Sequence, residues 1–162
     1  PTHCIVDGHF RQVLEETGMS FQKEVEMVAL AHKMDLFSIV YVATADEAKA
    51  MAEAGADAKI AHVGTTIGGS IGVTGAVCSM EDAAARCQSI FDGAAQVRDD
   101  IFLLSHGGPI CTPEDASAVN EATDAVGFVG ASSLERLAVE DSLTELTRRF
   151  KKIPVNRRPA DR

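Results

Sequence analysis

The chain has 162 residues, of which 46% are hydrophobic and 24% are charged, and its formal net charge is −9 at pH 7. This length and composition suit one compact domain with a substantial core and do not suit a disordered chain. No apolar stretch approaches the roughly 18 residues that a membrane span needs, so a membrane partner is not expected.

The charge is unevenly distributed along the chain. Residues 148–162 hold seven basic residues and one acidic residue, a net +6 that leaves −15 on the rest of the chain. Because phosphate neutralisation dominates nucleic-acid binding, so acidic a body would repel nucleic acid. We expect the basic segment to be a solvated helix end followed by a frayed terminus.

The cysteines and the start of the chain help to predict the cellular compartment of the protein. Cys4, Cys78, Cys87 and Cys111 stand far apart and form no CxxC pair. Zinc spacing is therefore absent, and buried reduced thiols are typical of an intracellular protein. No basic region precedes an apolar one at the start, so no signal peptide is predicted and we expect a cytoplasmic protein. Because Pro1 is no natural start, we also expect the chain to be processed or cut from a longer protein.

Strand and helix patterns alternate along the first third of the chain. The short apolar run at 2–6 predicts a strand, and helical spacing follows Ser20, a residue type that favours the N-cap position. The β-branched and aromatic run at 36–43 predicts a strand buried on both faces. Thr44 opens a capping box for the next helix, which Gly55 ends.

The same alternation continues to the end of the chain. Apolar runs at 58–63, 101–104 and 126–129 predict three further strands. Ser79 and Thr112 are predicted to cap the helices between them, and Pro113 strengthens the second helix start. The last helix is predicted over 137–153, with the following residues facing inward: Leu137, Leu143, Leu146 and Phe150.

These patterns make five βα units without hairpin signals between strands, which indicates an α/β protein with parallel strands and right-handed crossovers. Two architectures fit. One is an open five-stranded doubly wound sheet, and the other is the C-terminal five-eighths of a (β/α)₈ barrel. Periodicity alone does not separate them.

Four segments together carry a family resemblance: 7–19 (DGHFRQVLEETGM), 61–72 (AHVGTTIGGSIG), 105–110 (SHGGPI) and 130–137 (GASSLERL). They resemble the phosphoenolpyruvate hydrolase-like family of TIM-barrel proteins, also described as phosphonopyruvate hydrolases. Similar domains occur in tobamovirus-resistance-type proteins. The resemblance covers nearly the whole chain up to about residue 153.

The resemblance implies that residues 1–153 form strands four to eight of a barrel, with a basic tail over 154–162. Related phosphonopyruvate enzymes place magnesium-binding acids on earlier strands, so Mg²⁺ is implied by resemblance only and its site would be incomplete. A barrel without its first units exposes strand edges and core faces. We therefore expect a homo-oligomer or a companion domain that supplies the missing strands.

Charged residues near the first strand are candidates for binding and catalysis. Arg11 lies four residues after Asp7, and arginine binds carboxylates through two parallel hydrogen bonds, so a substrate carboxylate is its candidate partner. A salt bridge to Glu15 or Glu16 is the structural alternative. Asp7 could ligate a metal, act as a base, or only cap the turn at Gly8. Adjacent glutamates diverge on a helix, so Glu15, four residues from Arg11, is the catalytic candidate.

Two histidines occupy matching positions at predicted strand ends. His62 and His106 are each near the end of a strand, and a glycine follows closely in both cases. Histidine titrates near neutrality and serves as a general acid or base, so either could move a proton in the reaction. The alternative for each is a hydrogen-bonded core histidine.

Three loops rich in glycine and serine follow the predicted strands. Glycine lets backbone N–H groups approach an anion, although tight turning between strand and helix also requires it. In TIM barrels the loops after strands seven and eight form the recurrent phosphate site. The residues predicted to bind a phosphoryl group are Gly68, Gly69, Ser70, Gly107, Gly108, Gly130, Ser132 and Ser133.

Together these observations predict a hydrolase or lyase domain that binds a small phosphorylated or phosphonylated 2-oxo acid of the phosphoenolpyruvate type. The alternative is a non-catalytic sensing or protein-interaction domain that keeps the anion pocket. No GxGxxG fingerprint and no Walker A sequence is present, which disfavours nicotinamide and ATP.

Overall fold

The computed structural model describes residues 8–73 and 78–153. The first predicted strand at 2–6, Asp7 and the basic tail at 154–162 lie outside these residues. The helices are α1 (Gly8–Glu16), α2 (Phe21–Lys33), α3 (Ala45–Glu53), α4 (Met80–Ala95), α5 (Pro113–Ala122) and α6 (Ala138–Lys151). The strands are β1 (Ile39–Val42), β2 (Ala58–His62), β3 (Phe102–His106) and β4 (Gly127–Phe128). Within the described ranges, no helix has the length and apolar character needed to cross a membrane.

The four strands form one parallel sheet in the order β1-β2-β3-β4. Each strand therefore pairs with the next one along the chain, and helices α3, α4 and α5 pack as a layer against the sheet. A doubly wound sheet reverses its strand order part-way, whereas a (β/α) barrel adds strands in sequence. The strand order is that of a barrel, which decides between the two predicted architectures and confirms the parallel α/β fold.

The two faces of the sheet differ in how well they are covered. Side chains alternate between faces along a strand. Val40, Val42 and Ala61 point into the helix layer and belong to the buried core. The opposite face, which a closed barrel would turn inward, leaves Ile39 and Phe102 more than half exposed. The chain thus completes the outer layer of a barrel segment and leaves part of its inner face uncovered.

One buried strand residue carries a charge. The Lys59 side chain is fully buried on the helix side of β2, and its Nζ has no hydrogen-bond partner within the described residues. Burial, helped by the positive charge of Arg98, lowers the pKa of Lys59 from 10.5 to about 8. A buried ammonium without a partner opposes folding.

The predicted caps at Thr44, Ser79 and Thr112 are confirmed, whereas Ser20 holds the N-cap position of α2 without a side-chain hydrogen bond. The capping box predicted at Thr44 is only half formed, because the Glu47 carboxylate accepts from Ala43 N. Thr44 Oγ1 accepts a hydrogen bond from Glu47 N at 3.2 Å, which begins α3. Ser79 begins α4 in the same way, and Thr112 begins α5 with a reciprocal bond from its own backbone N–H to Asp115. These side-chain oxygens satisfy N–H groups that the first helical turn leaves without partners.

The predicted inward face of the last helix is wrong. A π-helical turn (Ser133–Leu137) precedes α6, and α6 itself has no buried residue. Leu143, Leu146 and Phe150 are exposed, whereas Leu137 of the π-helical turn is half-buried. Spacing identifies the apolar stripe of a helix, but whether another element covers the stripe is decided by tertiary structure.

Candidate functional site

A cleft of about 410 Å³ opens beyond the carboxyl ends of β2 and β3. We call it the histidine cleft. Its lining residues are His62, Thr65, Thr66, Ile71, Gly72, Val73, His106, Ala131, Ser132 and Arg136. Ligands of parallel α/β proteins bind beyond the carboxyl ends of the strands.

Strand register brings the two histidines together. His62 lies opposite His106 in the β2–β3 pair, and their ring centroids are 5.1 Å apart. Tyr41 of β1 contacts both rings edge-on, at 5.7 Å from His62 and 5.1 Å from His106. Such edge contacts favour defined ring orientations, so the Tyr41 ring supports the orientation of both imidazoles. The sequence singled out both histidines but not Tyr41.

His62 is uncharged at neutral pH. Burial, followed by the nearby His106 and Arg86, lowers the pKa of His62 from 6.5 to about 4. A neutral imidazole keeps one nitrogen lone pair, so His62 can accept a proton or a hydrogen bond from a ligand.

The orientation and tautomer of His106 are fixed by the backbone. Its Nδ1 lies 2.7 Å from Val129 O. A carbonyl oxygen only accepts hydrogen bonds, so Nδ1 carries the hydrogen, and the matching neutral tautomer has its lone pair on Nε2. A general base requires this kind of positioning. With Nδ1 bound to the backbone, Nε2 is the ring nitrogen that can accept a proton from a ligand.

Arg136, in the π-helical turn, brings a positive charge to the cleft. Its Nη1 donates to Gly68 O at 2.7 Å and lies 3.3 Å from Glu140 Oε1. Glu140 Oε2 also accepts from Ser70 N at 2.7 Å. That backbone hydrogen bond, together with Arg136, holds the pKa of Glu140 below its usual value. The loop at 64–73 is thus tied to the start of α6.

Arg136 belongs to the family motif at 130–137, but the sequence predicted no role for it. The available signal was its position three residues after Ser133, in a loop already assigned to anion binding. Thr65 and Thr66 were also missed, although they lie between two predicted loop glycines and add hydroxyl groups to the cleft.

The predicted glycine loops contact each other closely. A Cβ on Gly107 would collide with Gly64 O, and Gly107 has a φ of 81°. Gly108 N donates to Gly64 O at 2.8 Å, and Gly108 O accepts from Ile67 N at 3.2 Å. These glycines therefore let two neighbouring loops pack together, and the Gly108 N–H is already paired within the protein.

The remaining loop candidates divide between the cleft and its surroundings. Ser132 lines the cleft, whereas Ser133 is buried and Gly130 packs against Leu134. Ser70 directs its N–H to Glu140. Gly68 and Gly69 lie against the Arg136 and Leu137 side chains: a Cβ on Gly68 would meet Leu137 Cδ2 at 3.7 Å, and one on Gly69 would collide with Arg136.

The structure places Arg11 and Glu15 among residues that do not line the cleft. Arg11 Nη1 forms an ion pair of 2.7 Å with Glu47 Oε1, and its guanidinium lies over the Phe21 ring. Glu47 is buried and also accepts from Ala43 N. Glu15 accepts from Phe21 N and so ties α1 to α2. Arg11 is thus paired with Glu47, and neither Glu15 nor Glu16 takes that place.

Residues 1–153 match the family described as phosphoenolpyruvate hydrolase-like. The chain belongs to this family.

Relatives in the family include longer proteins from a plant and a bacterium. The ToMV susceptible protein tm-1(GCR26) and the ToMV resistance protein Tm-1(GCR237) of Solanum lycopersicum are each 49% identical over 154 residues, or 94% of this chain and 20% of theirs. The protein y4pA of Sinorhizobium fredii, named as a candidate transcriptional regulatory protein, is 33% identical over 153 residues, or 94% of this chain and 25% of its own. The chain thus spans about a fifth to a quarter of these relatives.

Two solved structures also align with the chain. Nitroalkane oxidase from Streptomyces ansochromogenes has a TM-score of 0.43 and 27% identity, over 68% of this chain and 31% of that one. The N-acetylmannosamine-6-phosphate 2-epimerase from Clostridium perfringens has a TM-score of 0.48 and 15% identity, over 80% of this chain and 48% of that one.

The magnesium that resemblance to the phosphoenolpyruvate hydrolase-like family implied does not suit this cleft. Mg²⁺ prefers oxygen ligands, above all carboxylates. Among the residues that the structure describes, the lining supplies imidazole, hydroxyl and guanidinium groups but no carboxylate. In the part of the chain that the structure describes, no three His, Cys, Asp or Glu residues are grouped to hold a metal. We therefore assign no step to a metal ion.

Proposed function

We propose that the histidine cleft binds a small 2-oxo acid of the phosphoenolpyruvate or phosphonopyruvate type and transfers a proton during its conversion. The observation that carries this proposal is the meeting of two oriented imidazoles and one guanidinium in a single cleft at the strand ends. An uncharged His62, a backbone-fixed His106 and a cationic Arg136 are together suited to an anionic substrate whose reaction needs a base.

Arg136 replaces Arg11 as the residue that binds the anion. A guanidinium forms two parallel hydrogen bonds with a carboxylate or phosphoryl group. Ser132, Thr65 and Thr66 add hydroxyl donors, and Ile71 with Val73 forms an apolar wall. Such a mixture of one charge, a few polar groups and an apolar wall is typical of small-ligand sites.

The histidines account for the proton balance of phosphonopyruvate hydrolysis. A histidine takes a proton from water, whose oxygen attacks phosphorus as the carbon–phosphorus bond breaks. The products of that step are phosphate and the enolate of pyruvate. The same histidine, now protonated, returns its proton to the enolate carbon and gives pyruvate.

A thermal melt of the chain with phosphoenolpyruvate or phosphonopyruvate tests binding at the cleft. Ligand at about 100 times its dissociation constant adds about 2.7 kcal/mol of stability, which gives a measurable rise in Tm. Arg136→Met is expected to remove the rise. Arg98→Met is the matched control, because Arg98 also pairs with a carboxylate but lies just before β3, at the amino ends of the strands. Equal rises in both variants would contradict the role of Arg136.

A second candidate is a sensing or interaction domain that binds the ligand without converting it. What favours it is the naming of the relatives, which refers to virus resistance and to transcriptional regulation. Release of phosphate and pyruvate distinguishes the two functions. Binding that depends on Arg136 without product release would support the sensing domain.

A further inference from the structure

The two histidines of the cleft are spaced as two ligands of one metal ion would be. His62 and His106 are paired in register across β2 and β3, and their ring centroids lie 5.1 Å apart with planes inclined by 49°. With bonds of about 2.0–2.1 Å between metal and nitrogen, tetrahedral coordination places the centres of two imidazole ligands roughly 5–5.5 Å apart. The observed separation falls within that range, so the spacing of the rings suits a shared ion.

His106 also has the outer hydrogen bond that metal-binding histidines usually make. Its Nδ1 lies 2.7 Å from Val129 O, which leaves Nε2 as the nitrogen available to an ion. In metal sites the nitrogen that does not bind the metal commonly donates to a carbonyl or carboxylate oxygen, and this bond fixes the orientation of the ring. Tyr41 adds edge contacts to both rings. The protein itself thus orients the two imidazoles.

We propose that His62 and His106 together bind a divalent transition-metal ion of the zinc class through their ring nitrogens. The cleft lining, which does not suit Mg²⁺, favours this class, because imidazole is a preferred ligand of Zn²⁺, Ni²⁺ and Cu²⁺. Among the described residues, no group of three His, Cys, Asp or Glu side chains forms a larger ligand set. The ion therefore keeps coordination positions for water or for an oxygen of an anionic ligand, as catalytic zinc sites do.

Metal binding by this pair does not depend on the proposed reaction and would compete with it. Nε2 of His106 holds the lone pair that the proposed proton transfer uses, and a bound ion would occupy that lone pair. Zn²⁺ is thus expected to inhibit phosphonopyruvate hydrolysis, a consequence that rests on the proposed function. A guanidinium stays protonated and is no metal ligand, so Arg136→Met should remove anion binding and retain metal binding.

Titration calorimetry of the full 162-residue chain with Zn²⁺ tests the site. We expect saturable binding whose affinity falls about tenfold or more in His62→Gln and in His106→Gln, since removal of an outer hydrogen-bond partner alone costs roughly 10–100-fold. His32→Gln is the matched control, because His32 lies on α2 against Gly55, outside the cleft. An affinity that is unchanged in both cleft variants, or lowered equally by His32→Gln, would overturn the proposal.

Nuclear magnetic resonance of the histidine side chains tests the same site in the wild-type chain, where the folding of a variant is not at issue. Zn²⁺ should shift the Nε2 signal of His106 and a ring nitrogen signal of His62, with little change at His32. Co²⁺ then identifies the ligand type, because thiolate ligands give an intense near-ultraviolet charge-transfer band that imidazole ligands do not. Unshifted signals from both cleft histidines, or a thiolate band that accounts for the bound ion, would overturn the proposal.

Discussion

The pairs Arg11–Glu47 and Arg136–Glu140 have the same chemistry and lie in different surroundings. The Glu47 side chain is 6% exposed and joins α3 to α1, with a second hydrogen bond from Ala43 N. Glu140 is 24% exposed, and its arginine lines an open cleft. An arginine paired with a buried carboxylate stabilises the fold, whereas one beside a cleft is available to a ligand.

Breaking the buried pair is expected to have the largest effect. Arg11→Met leaves the Glu47 carboxylate buried with fewer donors, which should lower the free energy of unfolding by about 2–3 kcal/mol. Urea denaturation measures the loss. Arg136→Met disrupts the pair whose carboxylate is more exposed, so it should lower stability by less, about 1 kcal/mol. Similar losses in both variants would contradict the distinction between the pairs.

The buried charge of Lys59 should respond in the opposite direction. Lys59→Met removes an ammonium that has no hydrogen-bond partner in the described part of the chain, so we expect a gain of about 2 kcal/mol at pH 7. The folded pKa of about 8 lies below the usual 10.5. The wild-type penalty is therefore complete below pH 8 and fades as the pH rises toward 10.5. Denaturation at pH 7 and pH 10 should show the variant's advantage shrinking, and a constant advantage would contradict this origin.

The free energy of unfolding of the chain should fall in mild acid because of His62. Because the pKa of His62 is about 4 in the folded chain and 6.5 ordinarily, the unfolded state binds the proton first. The contribution of neutral His62 to stability is therefore fully present above pH 6.5 and is lost as the pH drops toward 4. After allowance for partial exposure the loss is about 2 kcal/mol. His62→Gln should remove this part of the decline. An unchanged pH profile of unfolding in the variant would rule out His62 as its source.

The smallest effect is expected at Glu140. Glu140→Gln keeps a side-chain acceptor for Ser70 N but removes the negative charge beside Arg136. Anion affinity should rise about threefold, because the guanidinium no longer shares its charge with a carboxylate. Titration with phosphoenolpyruvate measures the change. A fall in affinity would instead show that Glu140 acts mainly by positioning Arg136.

Local patterns predicted the parts of the fold that depend on neighbours in sequence. The caps at Thr44, Ser79 and Thr112 required only a few adjacent residues, and the strand positions followed from short apolar runs. The barrel order of the strands and the exposure of α6 were beyond such patterns. Both depend on which elements meet in space, and periodicity does not contain that information.

The site divides in the same way. The positions of His62 and His106 at strand ends were visible in the sequence, and parallel register then set them side by side. The partner of Arg11 lies 36 residues away and Ser70 meets Glu140 across 70 residues. Helical spacing suggested only near partners for Arg11, so the sequence did not indicate that Arg11 pairs with Glu47 or that Arg136 lines the cleft.

The bond between Ser70 and Glu140 gives the cleft and α6 a common element. The loop that walls the cleft and the start of α6 are held by one carboxylate. An anion that draws Arg136 away from Glu140 would therefore alter how firmly α6 is held, and a change in the position of α6 would alter anion affinity in return. Thermodynamic reciprocity requires the two effects to be equal in free energy. Occupancy of the cleft and the position of α6 are therefore expected to be coupled quantities.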